Sequence, residues 1–381
     1  MLKIIKNQEL ENIYVKCVYD RILNKKIITG LSKEKKLEKI VNRLKILFGG
    51  NLIHTKHLSN PSLTNEEFLK SFILLPYEDL LALQRATDMF WKKNGLTIRN
   101  SCKVMNTIYD CYDNIRDGIK CSDSIRNTYK IPTEVFNKEG KIKLNHFIVK
   151  KLGISQCPYC NAEEVDIVQN KAIFELDHFF PRSIYPVFAI CLYNLVPAGH
   201  NCNSLKNNLR TNYQSPYDEH YIIEDLKFTA IFDTCLLNRK SHSKKEIISK
   251  KDNLKLGYRI DNELYSLEEM RHLVGTAITT TTKPIIENLI HMGIAARYCN
   301  DTDIYNEILK LFTCSIMMPN IWFKFNEKFA GIEYADILRQ GAYGAIHQDE
   351  DLINNRHAKC RRDLMEQAGI IKKSGNKYLY I

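Results

Sequence analysis

Two stretches decide the fold of this chain: residues 174–183 (FELDHFFPRS) and residues 193–208 (YNLVPAGHNCNSLKNN). Between residues 165 and 180, β-branched and aromatic residues flank a polar turn at residues 169–171, which predicts a short antiparallel pair. A second apolar run over residues 193–197 leads to a helix over residues 202–209, with Asn201 or Asn203 as the expected N-cap. The predicted order is a strand, a long loop, a strand and a helix.

These stretches resemble the HNH (ββα-metal) endonuclease superfamily, most closely its bacterial branch with the signature LDHF, P and S, then NLVP, then CN-x2-K. The resemblance covers residues 157–210. It implies a metal-dependent endonuclease that hydrolyses phosphodiester bonds of DNA by a one-metal mechanism. This hydrolysis needs an activated water, charge neutralisation on the phosphate and a stabilised leaving oxygen. One base and one metal ion supply all three.

The resemblance implies a role for each polar residue of the two stretches. His178 would be the general base, because a neutral imidazole accepts a proton near physiological pH. Asp177 and Asn203 would hold the divalent ion, and such hard oxygen ligands suit Mg²⁺ or Mn²⁺. Asn194 would hold the base in position through backbone bonds across the loop. Lys206, one helical turn after Asn203, would bind or neutralise phosphate.

Two further residues are secondary candidates. Arg182, in the loop, is a second candidate for binding phosphate. Glu175 shares a strand face with Asp177 and is a candidate for the metal shell, although an exposed strand glutamate is the simpler interpretation, so it is left out of the main site. A strand directs Asp177 and His178 to opposite faces, so a twist or a strand end must bring the carboxylate to the metal.

A C-x2-C knuckle formed by Cys157 and Cys160 precedes the strands. In zinc-containing members of the superfamily, such a knuckle pairs with a second C-x2-C around the NLVP segment. Here Cys202 is present, but Gly199 stands where the other cysteine of that pair would be. A metal staple at this place would tie the hairpin to the helix, because a ββα unit is too small to bury a core of its own.

The fourth zinc ligand is open, and three interpretations follow. A structural Zn²⁺ is held by the three cysteines and His200, or its fourth ligand comes from elsewhere, for example His220, or no zinc binds. A redox role for the C-x2-C is disfavoured, since the motif precedes a hairpin and not a helix N-terminus.

The composition limits the class of protein. With 55 Lys and Arg against 44 Asp and Glu, the net charge is +11, which favours polyanionic partners. A hydrophobic content of 44% with 26% charged residues indicates a globular protein. No apolar run is long enough for a membrane span. The start of the chain lacks the apolar stretch of a signal peptide and most cysteines are scattered, so a reducing cytoplasm is expected.

The predicted fold class is mainly α with a small embedded α+β unit, a ββα-metal core flanked by helical domains. The predicted domains are a helical N-terminal domain (residues 1–150), the nuclease core with its C-x2-C knuckle (151–216) and a mainly helical C-terminal domain (217–381). Helices are expected over residues 66–75, 77–93 and 101–119, and a further helix is expected to start at Pro284. The lysine-rich residues 239–255 are more simply a solvated surface than a nucleic-acid patch.

Two other function classes compete with the nuclease. One is a binding module that grips nucleic acid without cutting it. The other is a partner-docking subunit, for instance of an ATPase-controlled system in bacterial anti-phage defence or restriction, a context that follows from the resemblance alone. The chain contains no G-x4-G-K-[ST] loop, so a nucleotide-driven step would need another chain. RNA is not excluded as substrate, because the motif contacts mostly backbone.

Overall fold

The computed structural model describes residues 2–24, 31–94, 119–120, 141–169, 171–207, 213–222, 225–232, 254–260, 263–274, 283–317, 328–329, 332–333 and 345–380. Within these residues the chain is mainly α-helical and carries small β-sheets. The helices are α1 (Gln8–Asn24), α2 (Lys33–Phe48), α3 (Asn65–Ile73), α4 (Tyr77–Asn94), α5 (Leu144–Leu152), α6 (His200–Lys206), α7 (Leu267–Leu273), α8 (Lys283–His291), α9 (Ile294–Asn300), α10 (Thr302–Met317) and α11 (Ala358–Gln367).

The strands are short and pair antiparallel. They are β1 (Ile119–Lys120), β2 (Lys141–Ile142), β3 (Ile167–Val168), β4 (Lys171–Ala172), β5 (Glu175–His178), β6 (Leu195–Ala198), β7 (Leu226–Phe232), β8 (Leu254–Ile260), β9 (Glu263–Tyr265), β10 (Lys328–Phe329), β11 (Ile332–Glu333), β12 (Ile371–Ser374) and β13 (Lys377–Tyr380). The longest pairing joins β7 to β8, and β9 extends that pair to three strands.

The N-terminal helices follow from helical spacing of apolar residues and from capped starts. In α2, Leu37, Val41 and Leu44 are buried on one face. At the start of α3, Thr64 and Glu67 form a capping box, which satisfies backbone N–H groups that the helix itself leaves unpaired. α3 and α4 lie where the spacing predicts helices. The helix predicted over residues 101–119 falls outside the described residues, except for its last residue in β1.

β5, β6 and α6 form a compact unit, the hairpin–helix unit, with residues 179–194 as its loop. A small β3–β4 hairpin is present at the predicted turn, where Gln169 has a φ of 48°. The predicted antiparallel pair was incomplete, however, because β5 pairs with β6 across the long loop. The loop contains two short 3₁₀ helices, Pro186–Ile190 and Leu192–Asn194, and all eight of their residues are buried.

The predicted cap of α6 was wrong. The helix begins at His200 with Gly199 as N-cap, and neither Asn201 nor Asn203 caps it. Instead, the carboxylate of Glu163 accepts a hydrogen bond from the N–H of Asn201 at 3.2 Å. A cap supplied by a residue distant in sequence leaves no local signal, so spacing alone did not reveal it.

In the C-terminal region the helices α7 to α11 hold more of the described residues than the strands do, and the region also contains the β7-β8-β9 sheet, which the sequence pattern did not predict. Leu226, Phe228 and Ala230 are buried on one face of β7 at the strand period of two. α11 packs against this strand, where Asp363 accepts the N–H of Phe228 at 2.9 Å. The helix predicted behind Pro284 is α8. Of the lysine-rich residues 239–255, only the last two, at the start of β8, are described.

Buried apolar residues from all three predicted segments belong to one hydrophobic cluster, which extends from Ile4 to Tyr378. Backbone bonds also cross these segments, since the N–H of Leu2 donates to Pro158 O at 2.6 Å and the N–H of Ile4 to Pro216 O at 2.8 Å. The hairpin–helix unit is therefore packed into the same core as the helices around it. None of the described helices is long and apolar enough to cross a membrane.

Candidate active site and a neighbouring thiol cluster

The strand end that carries Asp177 and His178 opens into a pocket. His178 pairs with Leu195 at the last position of the β5–β6 register. Asp177 pairs with Val196 one position earlier in the same register. Asp177 and His178 both line one open pocket of about 510 Å³, the β5–α6 pocket.

The β5–α6 pocket collects the residues expected to perform chemistry. Its lining residues are Asn145, Phe174, Glu175, Leu176, Asp177, His178, Pro181, Arg182, Asn203, Ser204 and Asn207. The predicted general base and both predicted Mg²⁺ ligands are thus brought together, with Arg182 half-buried beside them. Asn194 and Lys206 are not among the lining residues.

The ring of His178 is buried and oriented by the loop. Its Nε2 lies 3.3 Å from the backbone oxygen of Ala189. A carbonyl oxygen only accepts hydrogen bonds, so the proton sits on Nε2 and Nδ1 keeps its lone pair. Burial lowers the pKa of His178 to about 3, and the positive charge of Arg182 acts in the same direction. The ring is therefore neutral at physiological pH.

Asn194 fixes the loop that orients His178. Its side chain is fully buried, and its Oδ1 accepts the N–H of Phe180 at 2.7 Å. Its Nδ2 donates to the backbone oxygens of Phe180 at 3.2 Å and Phe188 at 3.1 Å. These bonds tie both halves of the loop to β6, which is the kind of contact expected of a residue that positions the base.

Asp177 lies at the back of the pocket in a buried ion pair. Its Oδ1 accepts from Lys206 Nζ at 3.0 Å, and its Oδ2 accepts from the hydroxyl of Tyr159 at 2.6 Å. Burial and the nearby carboxylate raise the pKa of Tyr159, which keeps its hydroxyl protonated as a donor. The side chain of Asp177 is only 5% exposed, although the residue lines the pocket.

The expected role of Lys206 in phosphate binding needs correction. Lys206 is fully buried, and besides Asp177 its Nζ bonds to the backbone oxygen of His178 at 2.9 Å. Lys206 is not among the residues that line the β5–α6 pocket, so its ammonium group is not exposed to a phosphate bound there. The structure therefore gives Lys206 a positioning contact, in which one cation holds Asp177 and the end of the strand.

Asn203 and Glu175 meet at the open side of the pocket. The Nδ2 of Asn203 donates to Glu175 Oε2, and His200 Nδ1 lies 3.0 Å from Glu175 Oε1. Glu175 is 42% exposed and therefore more accessible than Asp177. The sequence pattern ranked Glu175 below the main site, yet the tertiary structure puts it beside a predicted metal ligand.

The sulfurs of Cys157, Cys160 and Cys202 form the thiol cluster, in which all three lie within 4.8 Å of one another. All three side chains are buried. His200 does not complete this group: its side chain is 72% exposed and its ring faces Glu175 and Ser204. His220 is exposed and is also outside the group. Neither histidine is therefore the fourth ligand in this structure.

The thiols of the cluster differ in acidity. Hydrogen bonds from the other two thiols hold the pKa of Cys160 well below its ordinary value, and the charge of Arg297 acts in the same direction. Burial raises the pKa of Cys157, and bonds to the other two thiols raise that of Cys202.

Three residues that contact the pocket or lie beside the thiol cluster escaped sequence reasoning. Tyr159 reaches Asp177 from inside the C-x2-C knuckle, whereas Glu163 and Arg297 meet beside the thiol cluster. Tyr159 lies between the two cysteines of the C-x2-C motif, and this position was the signal that the sequence offered for it. Arg297 lies in α9, far along the chain, and no spacing rule connects it to the cysteines.

Among the described cysteines, Cys157, Cys160, Cys191, Cys202, Cys299 and Cys360 are not in disulfide bonds. Comparisons of the chain with protein-family models, curated proteins and solved structures gave no match.

Proposed function

We propose that this chain is a metal-dependent endonuclease that hydrolyses phosphodiester bonds of DNA, with His178 as general base. The observation that carries the proposal is the β5–α6 pocket, which combines an oriented, neutral imidazole with oxygen donors from Asp177 and Asn203. A pocket used only to bind nucleic acid would not need a base beside hard oxygen ligands. The net charge of +11 supports a polyanionic substrate.

The donor set at the pocket fits Mg²⁺ or Mn²⁺, which prefer oxygen ligands and retain several waters. Asp177 and Asn203 would hold the ion, with Glu175 as a further carboxylate on the same wall. Each carboxylate oxygen has two lone pairs, so the bonds from Lys206 and Tyr159 leave Asp177 able to bind a cation. When bound, the ion would neutralise charge on the phosphate and stabilise the leaving oxygen.

The protein's own residues supply the remaining chemistry. His178 takes the proton of the attacking water at Nδ1, while Ala189 O keeps the other ring nitrogen protonated. Asn194 prevents the loop from shifting, and Lys206 holds the backbone of His178 from behind. Arg182, at the wall of the pocket, binds the phosphate in place of Lys206.

The central experiment compares wild type with His178→Ala on plasmid, linear duplex, single-stranded DNA and RNA, in Mg²⁺, Mn²⁺ or EDTA. Wild type is expected to cleave DNA in Mg²⁺ or Mn²⁺ and not in EDTA. Loss of the base should lower the rate by about 10²–10⁴-fold while DNA binding in EDTA persists. Folding is checked by circular dichroism and thermal unfolding.

His272→Ala is the matched control, because this histidine is exposed on α7, outside the pocket. The control should cleave like wild type. Cleavage by His178→Ala at the wild-type rate would remove the assignment. Tight DNA binding by wild type with no cleavage under any metal condition would favour the non-cleaving binding module instead.

A further inference from the structure

The thiol cluster lacks a fourth ligand among the residues that the structure describes. A structural zinc site of this kind is tetrahedral and takes four protein ligands. Cys157, Cys160 and Cys202 supply three, and no further His, Cys, Asp or Glu of the described ranges brings a ligand atom into the group. Among the described residues, the side of the cluster where a fourth ligand would lie is therefore occupied by residues that do not join the ligand group.

Arg297 of α9 lies against this side of the thiol cluster. Its Nη2 donates to Cys202 Sγ at 2.9 Å, and its Nη1 lies 3.9 Å from Cys160 Sγ. The same guanidinium donates to Met292 O at 3.0 Å and, through Nε, to Gly293 O at 3.4 Å. The guanidinium is thus held by the backbone oxygens of Met292 and Gly293 on one side and by two sulfurs on the other. Its permanent positive charge opposes the entry of a dication.

Glu163 occupies the space that a fourth cysteine would need. An ideal Cβ built on Gly199 would lie 2.6 Å from the Cβ of Glu163, closer than real Cβ atoms approach. The carboxylate of Glu163 pairs with Arg297 Nη1 through Oε1 and accepts the N–H of Asn201 through Oε2. The glycine that interrupts the second C-x2-C is thus matched by an acid that fills its place and binds the arginine.

We propose that Glu163 and Arg297 replace the metal, so that the thiol cluster is a metal-free clasp joining the hairpin–helix unit to α9. The guanidinium supplies a positive charge to the sulfurs, as a metal ion would, and Glu163 takes the place of the fourth cysteine and pairs with that guanidinium. α9 is further fixed to the knuckle by the hydroxyl of Tyr298, which donates to Cys160 O at 2.7 Å. This proposal is independent of the proposed nuclease activity.

Metal analysis of the full chain tests the clasp directly. The protein is purified without chelators in a reducing buffer, and zinc, iron and other metals are measured by mass spectrometry. We expect far less than one equivalent of any metal at the cluster and a thermal unfolding midpoint that chelator does not change. Stoichiometric zinc that survives dialysis, with a midpoint that falls when chelator removes it, would overturn the proposal.

Arg297→Met tests the arginine, with Arg361→Met as a matched control. The pairs Arg297–Glu163 and Arg361–Glu307 have similar exposure, at 28% and 18% against 29% and 24%, but only Arg297 contacts sulfur. We expect Arg297→Met to lower the unfolding midpoint by roughly 5 °C or more, well beyond the control, because it leaves Glu163 and the sulfurs without their cation. Equal losses in the two variants would count against the clasp.

Restoring a cysteine at position 199 tests whether the missing fourth ligand is the reason why, in this proposal, the cluster binds no metal. Gly199→Cys with Glu163→Ala and Arg297→Met completes two C-x2-C pairs and removes both the acid and the cation that lie against the cluster. We expect this variant to bind about one equivalent of zinc and to unfold at a lower temperature in chelator. Wild type titrated with zinc in parallel should not respond, and an equal response in both proteins would contradict the proposal.

Discussion

Two consecutive residues of α6, Cys202 and Asn203, serve regions of opposite character. In a helix, neighbouring side chains point about 100° apart, so Cys202 faces inward to the thiol cluster and Asn203 faces the β5–α6 pocket. The pocket is open and is lined by oxygen and nitrogen atoms, whereas the cluster is closed and built of sulfur. One short helix thus separates the pocket, where we propose that the reaction takes place, from the thiol cluster, which we propose only joins parts of the structure.

Both regions are held by a buried or partly buried cation, and its origin differs. Lys206 supports the pocket from within the hairpin–helix unit, and its partner Asp177 is adjacent to His178. Arg297 reaches the thiol cluster from α9, in the C-terminal region. The pocket is therefore braced locally, and the cluster links the unit to the remainder of the fold.

The largest expected effect comes from removing the local cation. Lys206→Met leaves Asp177 buried beside β5 without its charge partner, and loss of one member of a buried pair costs about 3–5 kcal/mol. Denaturant unfolding measures the loss. Asp177→Asn in the same chain should restore part of it, because the neutral amide needs no ammonium group.

A phosphate-binding lysine would behave in the opposite way. In that case Lys206→Met would leave the unfolding free energy unchanged and lower the salt dependence of DNA binding, measured in EDTA. That result would mean that the pocket is not braced by Lys206, and the comparison with Arg297 would fail.

A second prediction concerns the loss of stability at low pH, which we expect to come from His178 in the pocket. His178 has a pKa of about 3 in the folded protein and about 6.5 in the unfolded chain. The unfolded chain therefore binds the extra proton, so stability falls as pH decreases from about 6.5 towards 3, by up to about 3 kcal/mol at pH 4. His178→Gln does not titrate and keeps an amide N–H for Ala189 O, so its unfolding free energy should fall less steeply over this range. Identical slopes for the two proteins would contradict the prediction.

The smallest effect is expected where the two regions are connected. Tyr159 lies between Cys157 and Cys160 and bonds to Asp177, so Tyr159→Phe removes a hydroxyl that links knuckle and pocket. A hydrogen bond to a charged group contributes about 1.5–3 kcal/mol, and the ring itself remains packed. Denaturant unfolding and cleavage rate are measured together. Tyr217→Phe is the control, because the hydroxyl of Tyr217 donates only to the neutral Leu195 O. If this control loses as much stability as Tyr159→Phe, the charge of Asp177 is unimportant for the contact.

The N-terminal and hairpin regions show how far sequence patterns reach. α3, α4 and α8 were predicted because their apolar spacing and start signals are local. The strand carrying Asp177 and His178 and the later strand over the apolar run 193–197 were predicted too, but local alternation did not reveal that the two pair across a 16-residue loop. The β7-β8-β9 sheet was missed for a similar reason, since sheet pairing is a long-range contact.

The candidate site divides along the same line. By itself the sequence determined which residue types are available, because it places a histidine and oxygen-bearing side chains in the LDH, NLVP and CN-x2-K order and has Gly199 in place of the first cysteine of a second C-x2-C pair. Tertiary structure decided which of them face the pocket: Lys206 points inward and Glu175 lies next to Asn203. It also decided what stands in the missing position, because Arg297 comes close to the thiol cluster only after α9 packs against the knuckle. Side-chain direction and long-range packing depend on the whole core, and a local pattern does not contain them.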